Sequence, residues 1–348
     1  MRVAIASVQV PFVRGGAEML AESLCGELRA AGHEAEILTL PFKWYPAERI
    51  ADHMLACRMV DLAASGAGRI DRVIALKFPA YLMTHPDKVV WLLHQHRGAY
   101  DLWGSPLGDL TAAPQGAHLR MTIRDADRVA LPEARTIYTL SANVSGRLAQ
   151  HCGIPSTPLY HPPPGAERIE AGDYGDYLLF PSRLNPAKRQ VLALAALAHT
   201  RRPVRLVFIG GADTPEYARQ VQRQAEAEGL GGRVTWLGAV AEAKKRALYA
   251  GARAVVFPPV DEDYGYVGLE AMLAGKAVVT CTDSGGPLEF VRDGETGIVC
   301  APTPESLAEA FDRLWADPGL AARLGRAARD RYHDMGIGWD RVLECLLG

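Results

Sequence analysis

The sequence predicts an α/β protein made of two doubly wound units, each a parallel sheet with helices on both faces. Short apolar runs alternate with segments of helical periodicity from residue 2 onward, a pattern typical of parallel sheets. The same alternation begins again near residue 177, after a proline-rich stretch. The length of 348 residues also fits two domains, because a domain usually has about 100 to 200 residues.

The first unit begins as a strand, a helix and a second strand. The apolar run at residues 2–9 predicts a strand, the helical pattern at 16–31 stops at Gly32, and a strand follows at 34–40. Further apolar runs predict strands at 72–78, 89–94 and 137–140. Helical periodicity predicts helices at 47–64 and 117–130.

The second unit follows a predicted linker at residues 155–170, where proline is too frequent to continue a helix or a central strand. Strands are then predicted at 177–181, 205–209, 234–237, 254–257, 277–281 and 296–299, and helices at 188–198, 215–228, 241–250, 267–273, 304–316 and 320–335. We therefore predict domains at 1–165 and 166–330, with a closing helical segment at 331–348. Ligands are expected in the crevice between the carboxyl ends of the two sheets.

Composition and charge exclude several classes of protein. The chain has 38 basic and 40 acidic residues, a net charge of −2, so we expect no nucleic-acid partner. Its six cysteines form no CxxC pair, which favours a reducing cytoplasm over a disulfide framework. The N-terminal apolar run is too short for a signal peptide, and no run reaches the ~20 apolar residues that span a bilayer. Any membrane contact is expected to be peripheral, at the inner face.

A glycine pair follows the first predicted strand and opens the first predicted helix. Gly15 and Gly16 allow close backbone approach, and the N–H groups of a helix N-terminus attract anions. A phosphate or a sugar hydroxyl would fit there, although a tight turn without a ligand explains the pair equally well. The spacing is not GxGxxG, so the nicotinamide dinucleotide fingerprint is absent.

Two cations flank a turn after the first strand of the second unit. Arg183 and Lys188 are separated by a turn that contains Asn185 and Pro186, which allows both side chains to converge on one ligand. Two such cations would neutralise a diphosphate. A solvated basic loop is the alternative explanation.

The most informative segment lies between residues 257 and 275. Glu262 and Glu270 are eight residues apart, in the loop and first turns of a helix that begins near Gly265, Tyr266 and Val267. Backbone N–H groups at that helix start would face an anion, and the carboxylates would accept hydrogen bonds from sugar hydroxyls. The segment therefore indicates a nucleotide-sugar site. An N-capping cluster on a solvated helix is the alternative.

Taken in order, four motifs resemble glycosyltransferase family 4, the large retaining group of glycosyltransferases (group 1) with the GT-B fold. These are the GGAE-like loop at 14–18, the Arg183/Lys188 pair (R-x4-K), the Glu262/Glu270 pair (E-x7-E), and the GG-x-x-E-x7-G segment at 285–299. The similarity spans nearly the whole chain. It implies two Rossmann-like domains facing a cleft: the acceptor side in the first and the nucleotide sugar in the second, with the final helix returning toward the first.

The resemblance also implies residue roles. Arg183 and Lys188 would bind the donor diphosphate, Glu270 the ribose hydroxyls, and Glu262 the donor sugar near O3 and O4. In the first domain, Gly15 and Gly16 would lie near the phosphate and the acceptor. His94 would face the donor sugar, and His96 and Arg97 follow it in a loop where they would touch the acceptor.

No metal and no other cofactor is expected, because the Arg183/Lys188 pair makes a divalent cation redundant. This chain has Glu262-Asp263-Tyr264-Gly265 where the family usually has Glu-Gly-Phe-Gly, so Asp261-Glu262-Asp263 superficially resembles a manganese-binding DxD motif. His94 and His96 are two residues apart, but no third metal ligand is indicated.

We therefore predict a metal-independent, retaining glycosyltransferase. It would move a sugar from a UDP- or GDP-linked donor to a hydroxyl of a glycan, a lipid-linked glycan or a small glycoside, as in polysaccharide biosynthesis. A sugar-nucleotide epimerase of GT-B fold and a non-catalytic nucleotide-sugar-binding protein are the alternatives.

A basic stripe on a predicted helix of the first unit is formed by Arg120, Arg124 and Arg128. The stripe fits either contact with an anionic lipid surface or a solvated helix face on which Asp125 and Asp127 dilute the positive charge.

Overall fold

The computed structural model describes residues 1–66 and 68–348. Over these residues the chain divides into two compact units: unit 1 is Met1–Pro164 with Gly338–Gly348, and unit 2 is Gly165–Ile337. Each unit contains a six-stranded sheet in which every strand pair is parallel. The predicted class, two doubly wound α/β units, is confirmed.

The strands of unit 1 are β1 (Arg2–Gln9), β2 (Glu34–Pro41), β3 (Ala64–Ser65), β4 (Gly68–Arg69), β5 (Arg72–Ala75), β6 (Lys88–Leu92), β7 (Thr136–Thr139) and β8 (Thr157–Pro158). Its first four helices are α1 (Gly16–Ala30), α2 (Arg49–Arg58), α3 (Gly116–Ala130) and α4 (Ala142–Cys152). The pair β3–β4 is a separate antiparallel hairpin.

The main sheet of unit 1 runs in the order β2-β1-β5-β6-β7-β8. Strands β5 and β6 are buried along their whole length, which explains their apolar sequences, since helices cover both faces of a parallel sheet. The strand order reverses between β1 and β5. Ligands of such sheets bind outside the carboxyl ends of the strands at this switch point.

The strands of unit 2 are β9 (Leu178–Pro181), β10 (Leu206–Ile209), β11 (Val234–Trp236), β12 (Ala254–Val256), β13 (Val278–Cys281) and β14 (Gly297–Cys300). Its helices are α5 (Gln190–His199), α6 (Pro215–Ala227), α7 (Glu242–Gly251), α8 (Tyr266–Leu273), α9 (Pro287–Phe290), α10 (Pro304–Ala316) and α11 (Pro318–Asp334).

The sheet of unit 2 runs in the order β11-β10-β9-β12-β13-β14, the strand order of dinucleotide-binding folds, with its switch point between β9 and β12. Successive residues of β9 pack on opposite faces. Phe180 lies in the core formed with α5, α6 and α10, whereas Leu179 packs with Tyr249 and Ala271 of α7 and α8. Because the strands of this sheet are parallel, the loops that follow β9, β12 and β13 emerge at the same edge, the carboxyl edge.

The last helix, α12 (Trp339–Leu347), is part of unit 1. Its Val342 and Leu346 are buried, and Arg72 of β5 donates a 3.0 Å hydrogen bond to the Leu346 carbonyl. The division between the units falls at Ile337/Gly338, seven residues beyond the predicted start of the closing segment at 331. The reason is that α11 continues to Asp334, after which Gly336 adopts a φ of 60°.

Most helices match their predicted bounds within two residues, α2 is much shorter than predicted, and α4 and α9 were not predicted. The segment 47–64 forms only α2, which ends at Arg58, and α5 begins at Gln190 because Arg189 has a φ of 60°. The unpredicted helix α4 is capped by Ser141, whose hydroxyl accepts from the Val144 N–H. Among the helices of the part of the chain that the structure describes, none is long and apolar enough to cross a bilayer.

Candidate active site

Three loops of unit 2 are joined by backbone hydrogen bonds at the carboxyl edge of its sheet. The N–H of Val260, after β12, donates to the Ala187 carbonyl after β9 at 2.8 Å. The N–H of Glu262 donates to the Ser284 carbonyl after β13 at 2.9 Å, and the Gly286 N–H returns a bond to the Glu262 carbonyl at 2.8 Å. These bonds fix the Glu262 backbone beside the switch point.

Lys188 and Glu262, predicted separately from two motifs, form an ion pair through Nζ and Oε2. Lys188 ends a 3-10 turn that Asn185 caps, its Oδ1 accepting from the Ala187 N–H at 2.8 Å. The Lys188 ammonium also lies 5.5 Å from the centre of the Phe257 ring. Both charged side chains are largely buried, with exposed fractions of 19% and 23%, so their charges are weakly screened by solvent.

Arg183 has a different partner. Its Nη1 lies 2.7 Å from Oδ1 of Asp213, which follows β10, and the Asn185 amide donates to the other oxygen of Asp213 at 2.6 Å. The Arg183 side chain is 55% exposed. Thus each of the two predicted cations has its own carboxylate, and Asp213 is a residue of this edge that the motif spacing did not reveal.

Arg189 and Asp283 tie the loop after β9 to the loop after β13. The guanidinium forms a forked pair with the carboxylate, with one N–O distance of 2.7 Å. The hydrogen bond from Arg189 lowers the pKa of Asp283. Sequence reasoning also missed this pair, because its members are ninety-four positions apart.

Gly265 sets the start of α8. It has a φ of 87°, and a Cβ at this position would lie 2.9 Å from the Phe257 ring, so a larger residue would be both strained and crowded. Tyr266 is the first residue of α8 and Val267 the second. The backbone N–H groups in the first turn of a helix have no carbonyl partner within the helix, because no helical residue lies four positions before them. This end of α8 is therefore suitable for binding an anion.

Glu270 lies one turn further along α8 and is 4% exposed. Its Oε1 is 2.6 Å from the Lys245 ammonium, and its Oε2 accepts from the Tyr249 hydroxyl at 2.6 Å. Burial, and then the Glu270 charge, raise the pKa of Tyr249. Both donors lie on α7 at a spacing of four residues, which places them on one helix face. This spacing is visible in the sequence, but the sequence does not show that this face of α7 is directed at Glu270.

In unit 1, the Gly15–Gly16 turn is held from within the chain. Glu18 accepts from the Gly15 N–H through Oε2 at 2.8 Å, and its Oε1 lies 2.9 Å from the Lys77 ammonium. Burial alone would raise the pKa of Glu18, but the bond and charge of Lys77, together with hydrogen bonds from backbone N–H groups including that of Gly15, outweigh it and lower that pKa. Lys77 follows β5, on the far side of the switch point, and was not among the predicted residues.

The three remaining predicted residues follow β6. His94 places Nδ1 2.7 Å from the carbonyl oxygen of Gln95. His96 is buried beside Phe78, with Nε2 3.2 Å from an Asp109 carboxylate oxygen. Arg97 donates from Nε and Nη2 to one oxygen of Asp101, at 2.8 and 2.6 Å. This segment therefore lies at the carboxyl edge of the unit 1 sheet, the same edge as the Gly15 turn that follows β1.

Within residues 1–66 and 68–348, no three His, Cys, Asp or Glu side chains are grouped so that they could hold a metal ion.

Comparison with known sequences finds a family match in the second half of the chain. Residues 168–331 match the family model described as glycosyl transferases group 1. Alpha-1,3/1,6-mannosyltransferase ALG2 of Dictyostelium discoideum is 36% identical over 134 residues, which cover 37% of this chain and 32% of that protein. The chain thus spans about a third of the length of this relative.

Solved structures resemble the chain over its whole length. Sucrose-phosphate synthase from Thermosynechococcus elongatus superposes with a TM-score of 0.74 at 19% identity, covering 99% of this chain and 98% of that one. HepE from Anabaena, in complex with UDP and glucose, gives a TM-score of 0.70 at 19% identity and covers 99% of both chains. At such identities the likeness shows the fold class, GT-B, with two Rossmann-like units in one chain.

Proposed function

Because residues 168–331 belong to the group 1 glycosyl transferases, we propose that the whole chain transfers a sugar from a nucleoside-diphosphate sugar to a hydroxyl of a glycan, a lipid-linked glycan or a small glycoside. The observation that carries this proposal is the Lys188–Glu262 pair at the switch point of unit 2, beside the N-terminus of α8. A cation, a carboxylate and a helix start together offer partners for a diphosphate and for sugar hydroxyls.

Lys188 and Arg183 are the proposed diphosphate ligands. Breaking the bond between the anomeric carbon and the diphosphate oxygen builds negative charge on the leaving group, and fixed cations stabilise that charge. Lys188 suits this role because the Asn185-capped turn and the Phe257 ring hold its ammonium in place. Arg183 is more exposed, and its partner Asp213 would yield to a doubly charged diphosphate.

The two glutamates are the proposed hydroxyl acceptors. Each ionised carboxylate has about four lone-pair positions, so Glu270 can keep its bonds to Lys245 and Tyr249 and still accept from ribose hydroxyls. We assign Glu262 to the donor sugar. Gly265, Tyr266 and Val267 would contribute backbone N–H groups toward the phosphates.

Unit 1 is proposed to contribute the acceptor side. There we assign His94 as a substrate-contacting residue, His96 and Arg97 as acceptor-binding residues, and Gly15 and Gly16 as a close backbone approach. The support for this assignment is their common place at the carboxyl ends of β1 and β6, where ligands of doubly wound sheets bind.

We propose that the reaction retains the anomeric configuration and needs no metal. The acceptor oxygen would form its bond to the anomeric carbon on the face that the diphosphate leaves. The acceptor proton would pass to the departing phosphate oxygen, so that the products are the glycoside and the nucleoside diphosphate. Lys188 and Arg183 would supply the positive charge that a divalent cation would otherwise provide.

A transfer assay tests this proposal. The purified chain is incubated with UDP- and GDP-linked sugars, an acceptor panel and EDTA, and the product linkage is read from the one-bond C1–H1 coupling by NMR. We expect nucleoside diphosphate release that depends on acceptor, and a linkage with the donor's configuration. An inverted linkage would refute retention. Conversion of the donor to its epimer without acceptor would identify the chain as an epimerase instead.

A further inference from the structure

Asp127 is a buried carboxylate that none of the motifs explains. It lies on α3, between Ala126 and the basic residue Arg128, and has no exposed surface. The expected basic stripe on the same helix is partly engaged within unit 1. Arg120 lies 4.7 Å from the centre of the Trp103 ring, and Arg124 lies 5.3 Å from that of Tyr100. Asp127 therefore belongs to the interior of unit 1 and not to a solvated face.

Three side chains donate hydrogen bonds to Asp127. The Tyr81 hydroxyl donates to Oδ1 at 2.7 Å, while the Gln95 amide and the Tyr100 hydroxyl donate to Oδ2 at 2.9 and 2.7 Å. All four groups are buried. Burial raises the pKa of Asp127 to about 6, although the three bonds and the nearby His96 act in the opposite direction. An apolar residue would fill this position without the cost of desolvating a carboxyl group.

The two oxygens of Asp127 serve different parts of the chain. Oδ1 bonds Tyr81, in the short 3-10 helix after β5. Oδ2 bonds the two ends of the segment 95–100, which follows His94 and contains His96 and Arg97. Between those ends, the N–H groups of Ala99 and Tyr100 donate to the carbonyls of His96 and Arg97 at 2.8 and 2.9 Å.

We propose that Asp127 is a positioning residue, which acts through Oδ2 to hold the segment 95–100, and with it His94, His96 and Arg97, in the conformation that receives the acceptor. This role rests on the proposed function, and it adds to that function by naming the residue that anchors the acceptor segment. Gln95, which is bonded to Asp127, lies between the two histidines. His94 places Nδ1 2.7 Å from the Gln95 carbonyl oxygen, and the centre of the His96 ring lies 5.2 Å from that of the Phe78 ring.

Two tyrosine variants form a matched test. Tyr100→Phe and Tyr81→Phe each delete one buried hydroxyl from the same carboxylate, but only Tyr100 belongs to the segment. Gln95→Met is the second segment variant. We expect Tyr100→Phe and Gln95→Met to raise the acceptor KM at least tenfold, while the donor KM stays within twofold. Tyr81→Phe should lower Tm by about as much as the segment variants do, but it should leave the acceptor KM and the donor KM within twofold of the wild-type values.

Hydrogen exchange provides a readout that does not depend on activity. In Tyr100→Phe and Gln95→Met the amides of Ala99, Tyr100 and Leu102, which donate to the His96 and Arg97 carbonyls of the segment, should exchange at least tenfold faster, and in Tyr81→Phe they should not. Equal exchange in all three variants, or an acceptor KM that follows Tm alone, would overturn the positioning role. If the wild-type chain transfers no sugar, the proposed function fails by that result, and exchange alone decides whether Asp127 anchors the segment.

Discussion

Replacing Lys188 with alanine is expected to lower kcat by about 100- to 1,000-fold, the usual loss when one fixed donor to a developing negative charge is removed. The fold should be retained, because Lys188 lies in a loop and does not contribute to either apolar core of unit 2. The variant also leaves the Glu262 carboxylate without its ammonium partner, which adds repulsion toward a bound diphosphate. The measurement is kcat at saturating donor and acceptor, with Tm recorded in parallel.

Arg205→Ala is a suitable control for the Lys188 variant. Arg205 is also a cation of unit 2, but it is 58% exposed and pairs with Asp176 at 2.6 Å on the surface. Such exposed pairs contribute little, so both kcat and Tm should stay near wild-type values. Near-normal turnover in Lys188→Ala would contradict the diphosphate role of this residue.

Changing Glu262 to glutamine is expected to reduce kcat by about 10- to 100-fold with little change in Tm, since charge-assisted hydrogen bonds are roughly twice as strong as neutral ones. Glutamine keeps the shape of the side chain, and the backbone bonds of residue 262 to Ser284 and Gly286 do not depend on the charge. The lost charge weakens both the hold on Lys188 and the acceptance of donor-sugar hydroxyls. Turnover and thermal unfolding are measured on the same preparation.

Glu216→Gln serves as the comparison for that change. Glu216 is an exposed carboxylate of α6 that pairs with Arg219 at 2.7 Å, and its substitution should leave turnover unaltered. If Glu262→Gln lost much of its Tm but kept its activity, Glu262 would be a helix-capping residue of α8 and not a ligand of the donor.

The central strands of the two sheets were predictable because their residues are buried on both faces, whereas the two-residue strands β3, β4 and β8 were not predicted. For example, β6 and β9 read as continuous apolar runs, and the structure starts each within one residue of the predicted position. Helix α4 was not predicted because only Val144 and Leu148 of its eleven residues are buried, which leaves a weak apolar periodicity. The start of α5 depends on the positive φ of Arg189, a conformation that the residue type does not indicate.

The residues of the candidate site could be predicted where they belong to a sequence motif. The family resemblance is confirmed over residues 168–331, which contain three of the four motifs. Two of those motifs supply the Lys188–Glu262 pair. The partners of the predicted residues were not predictable. Asp213 follows β10, and Lys245 lies on α7. These residues reach the site through the order of strands in the sheet, which local spacing does not encode.

Binding of nucleoside diphosphates tests the central claim most directly. Calorimetric titration of the chain with UDP and with GDP, in EDTA, should show one site for one of them, and Lys188→Ala should weaken that binding at least tenfold. At 100 times its Kd the nucleotide should also stabilise the folded chain by about 2.7 kcal/mol. Binding of neither nucleotide, with or without a divalent cation, or equal affinity in Lys188→Ala, would contradict a diphosphate site at the carboxyl edge of unit 2.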